Sequence, residues 1–232
     1  NTQNTYMRTE ICDPDQICCN PGQNGKIETP ENLQRKIKEI RLLDISNVEE
    51  ITAYLSILNS ENNRIHLAGF PKTIEEVREK SADPSDHILI GINGVNEVIA
   101  TATVDDASPK EADNFINRLA VREDLQRTTP RPEGDKSKGV GRQMLEGVLE
   151  WAFTTSQADG RERRAMHLAI AMFIPKWEAM YNLATHTGFI SGAIWPNNFI
   201  KEDGSTVDMV RLYILREWWE RNVIEGTYAI TD

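Results

Sequence analysis

The segment Lys138-Gly139-Val140-Gly141-Arg142 sets two glycines, one residue apart, between two cations and directly before an amphipathic run. A helix N-terminus presents backbone N–H groups that have no intrahelical acceptor, together with a partial positive charge. It therefore holds a phosphate wherever the backbone can come close. Glycine permits that approach because no side chain stands in the way. The chemistry on offer is anion binding. A Gly-x-Gly pair also serves as a plain tight turn between strand and helix, so the surrounding residues decide what it is for.

Charge points the same way. The 232-residue chain carries 26 Lys and Arg against 36 Asp and Glu, a net charge of −10 that repels a nucleic-acid backbone unless the cations are gathered somewhere. From residue 127 to 142 they are gathered. Arg127, Arg131, Lys136, Lys138 and Arg142 meet only Glu133 and Asp135, so this segment carries +3 and the remainder −13. The patch is small and has no interleaved aromatics, which argues against a nucleic-acid surface and leaves a smaller phosphorylated ligand. Two well-known phosphate loops fail on residues. A dinucleotide fingerprint requires Gly or Ala where Met144 stands, and a P-loop requires Lys and then Ser or Thr directly after Gly139, where the chain has Val140 and Gly141.

The elements that must position this loop follow from periodicity. Glu39 to Ile45 reads as a strand, and Ser46 to Glu49 as a capping box opening a helix with the stripe Ile51, Tyr54, Leu55 and Leu58. A second capping box, Thr73 to Glu76, starts a short helix after a loop that contains His66. Strands are expected at 87–92 and 98–104, as a hairpin, and at 114–121. After the glycines, Met144, Leu145, Val148, Leu149 and Ala152 make the stripe of a helix packed on a sheet. A strand at 165–172 precedes a helix with Pro175 in its first turn, carrying Trp177, Met180, Tyr181 and Ala184 and stopped by Gly188. Two last strands fit 189–194 and 208–215, with Trp195 and Phe199 in the loop between them. Trp218 and Trp219 then pack a C-terminal turn or an oligomer contact, such as a homodimer. The expected domains are a loosely docked leader over 1–36, one domain over 37–220 and a tail over 221–232.

Cys12, Cys18 and Cys19 all lie in the leader, without a neighbouring histidine. That fits neither a complete disulfide set nor a zinc spacing, and reads as thiols of a reduced, cytoplasmic protein without a metal. No apolar run approaches the ~20 residues that span a bilayer, so no membrane partner is expected.

A strand, then a basic Gly-x-Gly, then a helix, in the middle of this element order, resembles the GNAT superfamily of acyl-CoA-dependent N-acyltransferases, whose cradle reads Gln/Arg-x-x-Gly-x-Gly/Ala. Leu119 to Arg127 resembles the family's strand and following turn, with Gln126 five residues past Val121, and Lys138 to Leu145 resembles the rest. Residues 128–137 are an insertion the pattern lacks. The likeness covers roughly Arg41 to Leu215. It implies an α/β (α+β) fold, a mixed, mostly antiparallel central sheet of about seven strands flanked by helices.

It further implies acetyl-CoA as co-substrate. Its pyrophosphate would be held by Gln126, Arg127, Lys138, Gly139, Val140, Gly141 and Arg142, and its pantetheine arm would pair with Leu119, Ala120 and Val121 between splayed strands. The reaction would be acetyl transfer by direct attack of a primary amine, carried by a small molecule or a peptide. The family's acid is often a tyrosine four residues before its Gly-Phe pair; here that position is Ala184. Tyr181, one turn earlier, is the substitute catalytic candidate, or a packing residue. His186 is the other titratable group nearby. Asp113, Glu123 and Asp124 flank the fourth strand as candidate bases, and His66, Asn117 and Trp195 are candidates for the acceptor pocket. The alternative is the same fold binding acyl-CoA without turnover.

Overall fold

Two runs rich in Ile, Val and Thr, Asp86–Asn93 and Val98–Asp105, pair as an antiparallel hairpin and form the second and third strands of a seven-stranded sheet. The structure is a computed structural model that describes residues 33–64, 70–108, 113–126, 138–172, 177–200 and 204–225. Along these residues the chain forms β1 (Ile37–Leu42), the helices α1 (Val48–Asn59), α2 (Glu61–Arg64) and α3 (Ile74–Lys80), and the strands β2 (Asp86–Asn93), β3 (Val98–Asp105) and β4 (Asn114–Val121). A 3-10 turn (Glu123–Leu125) and α4 (Val140–Thr154) lead into β5 (Ala165–Ala171), α5 (Trp177–His186), β6 (Ile190–Ile200), β7 (Thr206–Leu215) and α6 (Arg216–Glu225).

The strand order is β1-β2-β3-β4-β5-β7-β6, and only the β4–β5 pairing is parallel. This is the mixed, mostly antiparallel sheet expected from the sequence. Each face carries its own core. On one face Ile51, Tyr54 and Leu58 of α1 pack with Val77 of α3 onto Ile88 and Ile90 of β2. On the other, Met144, Leu145, Val148, Leu149 and Ala152, the whole expected stripe of α4, pack onto Leu89, Ala102 and Ile116. Each buried Ile, Leu, Val or Met among them contributes on the order of 1.5–3 kcal/mol by leaving water.

Local signals explain the helix ends, with one correction. The cap of α1 is Asn47, not Ser46: its side-chain oxygen accepts from the N–H of Glu49 at 3.0 Å and of Glu50 at 3.3 Å. Ser46 is turned to Asp44 instead, donating its hydroxyl at 2.6 Å. At α3 Thr73 caps as read, its Oγ1 accepting from Glu76 N–H at 3.2 Å, while the Glu76 carboxylate accepts from the N–H of Lys72, one residue before the cap, at 2.6 Å. Gly188 ends α5 with φ +96°, a conformation that a Cβ disfavours.

Three other expectations need adjusting. β1 runs Ile37–Leu42, starting and stopping before the Glu39 and Ile45 read from the sequence. The last hairpin is longer than read, so Trp195 and Phe199 lie within β6 and not in a loop. The chain beyond 220 continues a helix through Glu225 where a tail was expected. Pro175, the cysteines and the 128–137 insertion lie outside the described residues.

A buried ion pair closes the end of α4 against the sheet. Arg163 and Asp106 are almost fully enclosed, Nε donates to Asp106 Oδ1 at 2.7 Å, and Nη1 donates to the carbonyls of Ala152 at 3.1 Å and Thr155 at 3.0 Å. The guanidinium also sits 4.8 Å over the Trp151 ring.

Candidate active site

β4 and β5 pair only at Asn114 with Met166 and Phe115 with His167, and then part company. The cause is visible on the other edge of β4. Thr101 pairs with Ala120 and Thr103 with Asn117, so Arg118 and Leu119 together oppose Ala102 in a β-bulge. Arg118 has φ +49°, a conformation that costs a side-chain-bearing residue ~1–3 kcal/mol, and its Nη1 is tied to Thr103 Oγ1 at 3.2 Å. A bulge bends its strand, and here it bends β4 away from β5.

The gap is a cleft of about 830 Å³. Its walls are Ile116 to Val121 of β4 and Leu168 to Ala171 of β5, its mouth is Gly139 to Arg142 at the start of α4, and Met180, Leu183 and His186 of α5 cover one side. The strand edges facing it lack the ladder that β4 has with β3 and β5 with β7. An extended chain can pair with such an edge. Arg122 N–H donates to Ile99 O in β3 at 2.9 Å, so alternation turns the N–H of Val121 to the opposite edge, facing the cleft.

The Val121 carbonyl is already engaged. Asn63 Nδ2 donates to it at 2.9 Å and Gln126 Nε2 at 2.8 Å, and Gln126 also donates to Asn63 Oδ1 at 2.9 Å. Gln126 thus lines the cleft but spends its amide on holding β4 to Asn63 of α2. Asn63, which sequence reasoning missed, is its partner. Only its place in the loop before the second capping box could have pointed to it.

At the mouth, Gly139 is the N-cap of α4 with no side-chain capping bond, and no acid stands in the first turn. A Cβ built on Gly141 would lie 3.6 Å from both Val121 and Leu183, so this glycine forms the floor between β4 and α5. The local cations are not left to themselves, however. Lys138 Nζ lies 2.7 Å and Arg142 Nε 2.9 Å from the carboxylate of Glu146, so the expected positive patch carries its own counter-charge one turn down the helix. The i, i+4 spacing of Arg142 and Glu146 is a signal the sequence held.

Several candidates fall elsewhere. Tyr181 does not line the cleft. It packs on the main core and meets Trp177 edge-on with ring centroids 6.2 Å apart, while Ala179, Met180, Asn182, Leu183 and His186 are the residues of α5 that line the cleft. Of the two titratable groups named on that helix, His186 is the one brought to the cleft; its Nδ1 donates to Asn182 O at 2.6 Å. The three flanking acids are engaged in other contacts. Glu123 accepts from Asn62 at 2.7 Å and Asp124 from Arg122 at 2.8 Å. Asp113 bridges Arg211 at 2.6 Å and His167 at 3.1 Å, and the Arg211 contact holds its carboxyl below the usual range. His66 and Arg127 lie outside the described residues.

Trp195 also does something unforeseen. The Arg211 guanidinium is 5.0 Å from its ring and 5.2 Å from that of Phe115, while Arg211 Nε donates to His167 Nδ1 at 3.1 Å. Among the described residues no group of three or more His, Cys, Asp and Glu is placed to hold a metal ion, and no helix is long and apolar enough to cross a membrane.

No protein-family model matches the chain, and no curated protein matches it. Solved structures do. The spermidine N-acetyltransferase of Vibrio cholerae in complex with CoA and spermine is similar with a TM-score of 0.56 at 15% identity, covering 78% of this chain and 97% of that one. A chimera of the Vibrio cholerae enzyme and hSSAT gives 0.57 at 15%, covering 79% and 98%. A second chimera of the same two proteins gives 0.58 at 13%, covering 78% and 97%. At these identities the likeness establishes the fold, which is of GNAT type.

Proposed function

We propose that the protein is an N-acyltransferase that moves an acetyl group from acetyl-CoA to a primary amine. The observation that carries this reading is the parting of β4 from β5 after Phe115, with the glycine-led start of α4 at the mouth of the gap. A slot with open strand edges suits the amide-bearing pantetheine arm, and a helix N-terminus suits a pyrophosphate. The N–H groups of Gly139, Val140 and Gly141, with Lys138 and Arg142, are assigned to the pyrophosphate. The edge Leu119 to Val121 is assigned to the arm, and the Val121 N–H to the thioester carbonyl, where negative charge develops during attack. Gln126 acts here by fixing Val121.

The neighbours support the acceptor class, since one of them is a complex with CoA and spermine. An acidic protein of net charge −10 suits a cationic amine of that kind. A second reading, binding without turnover, is favoured by one observation: the position of the family's tyrosine is the fully buried Ala184, and Tyr181 is not among the residues lining the cleft. Release of free thiol from acetyl-CoA in the presence of spermidine or a simple primary amine tests the two against each other. Amine-dependent release supports transfer, and acetyl-CoA binding without it supports the binding module.

A further inference from the structure

Asp86 and Asp105 stand directly opposite each other across the β2–β3 ladder. Residues two apart along a strand share a face, so Asp86 lies on the face of Ile88 and Ile90, beneath α1 and α3. Like charges in opposed positions destabilise a sheet, and this pair is offset by Lys80 from one side and by Asn117 and Arg118 from the other. Lys80 Nζ meets Asp86 Oδ2 at 2.5 Å. Asp105 Oδ2 accepts from Asn117 Nδ2 at 2.5 Å, and Asn117 lines the cleft beside the bulge. That leaves Asp105 Oδ1, which is buried and has no hydrogen-bond partner among the described residues. Asp86 Oδ1 and the hydroxyl of the fully buried Tyr54 share that condition. Buried polar atoms in folded proteins nearly always have partners, so these three, set together under α1, single out the site.

Burial, followed by the charge of Asp86, pushes the Asp105 carboxyl above the usual range, against the pull of Arg118, Asn117 and Lys80. The described groups bearing on it are thus Asp86 from β2, Asn117 and Arg118 from β4 and Lys80 from α3, with Tyr54 of α1 facing Asp86 and Arg118. A carboxylate poised in this way, one side chain behind the wall of a cleft, is what proton abstraction requires.

We infer that Asp105 is the proton acceptor of the transfer reaction, taking a proton on Oδ1 from the acceptor ammonium through one water beside Asn117. The inference rests on the transferase reading. The ammonium gives one proton to the carboxylate, and the neutral amine forms the N–C bond. The C–S bond then breaks with its electron pair on sulfur, and the second proton passes from nitrogen to that sulfur. Asp105 returns its proton to solvent before the next turnover.

The test is thiol release with spermidine over about pH 5 to 10 for the wild type, Asp105→Asn and Asp86→Asn, with acetyl-CoA affinity measured for each. Asn preserves the shape of Asp105 and still accepts from Asn117. Asp105→Asn is expected to keep its acetyl-CoA affinity and lose about 100-fold or more in kcat, the usual worth of a positioned base. Asp86→Asn is expected to move the acid limb of the profile to lower pH, because the carboxyl of Asp105 is then less raised; a merely structural role would not move it. A kcat for Asp105→Asn within about threefold of wild type, or an unmoved limb in Asp86→Asn, overturns the assignment alone. Acetyl-CoA binding without thiol release by the wild type overturns it together with the transferase reading.

Discussion

Gln126 donates to the carbonyl of Val121 at 2.8 Å, five residues back along the chain, and so clamps the end of β4 that faces the cleft. Asn63 donates to the same oxygen at 2.9 Å. One bond remains when either side chain is removed, but none when both are. Gln126→Ala and Asn63→Ala are each expected to cost about 1 kcal/mol, and the double variant to depart from their sum, since the two side chains share one carbonyl and bond each other. A urea-melt double-mutant cycle checks this, and simple additivity would contradict it.

Glu146 competes with any bound phosphate for Lys138 and Arg142, which lie 2.7 Å and 2.9 Å from its carboxylate. Glu146→Gln is therefore expected to tighten acetyl-CoA binding several-fold at low salt, with the gain shrinking as salt screens the cations. Calorimetry at two ionic strengths decides it. Unchanged or weaker binding would mean that these cations do not face the ligand.

Gly141→Ala separates stability from binding. The added methyl meets Val121 and Leu183 at ordinary contact distance, 3.6 Å, and alanine favours a helix over glycine by about 0.5–1 kcal/mol. The variant should melt at the same or a higher temperature yet bind acetyl-CoA at least several-fold more weakly, because the methyl raises the floor of the cleft. Loss of both together would point to a packing role for the glycine.

How much of this was legible before the fold was known depends on how local each signal is. The α4 stripe from Met144 to Ala152, the Thr73 cap and the Gly188 stop each need only a few neighbouring residues, and all three stand in the structure. Leu119 to Val121, Asn117 and Gly139 to Arg142 line the cleft as the resemblance implied, and that resemblance was itself readable because strand, loop and helix follow one another along the chain. Asn63, the β5 wall and the cleft face of α5 come from other parts of the chain, and no local pattern marks them. The bulge was hidden because its left-handed residue is Arg118, not a glycine. Asp105 emerged only once the hairpin register set it against Asp86.

Arg163 is expected to be the most costly single truncation outside the hydrophobic core. It is fully buried and holds Asp106, the Ala152 carbonyl and Thr155. Arg163→Met should destabilise the fold by about 3–5 kcal/mol, because Asp106 Oδ1 and the carbonyls of Ala152 and Thr155 lose their buried donor, although Asp106 Oδ2 keeps His87 and the Ala158 N–H. Thermal melts check it, and a loss under about 1 kcal/mol would show that the pair is dispensable.

His167 gives a pH dependence with a definite sign. Burial, then the charge of Arg211, holds its ring below the usual histidine range, with Asp113 opposing. Below about pH 6.5 the unfolded chain takes up a proton that the folded ring refuses, so the stability owed to a neutral His167 is present above that pH and is lost as the pH falls toward the depressed folded value. His167→Gln should therefore cost less at pH 5 than at pH 7.5 in urea melts. An equal cost at both values would remove the titration from the account.

The claim on which the rest depends is that the start of α4 holds the pyrophosphate of an acyl-CoA. Calorimetric titration with acetyl-CoA, of the wild type beside Gly139→Glu, tests it most directly. The account predicts micromolar binding by the wild type and none by the variant, whose carboxylate enters the cradle while the core is untouched. A wild type that does not bind acetyl-CoA, or a variant that binds it equally well, would contradict the account and leave the glycines as a turn between strand and helix.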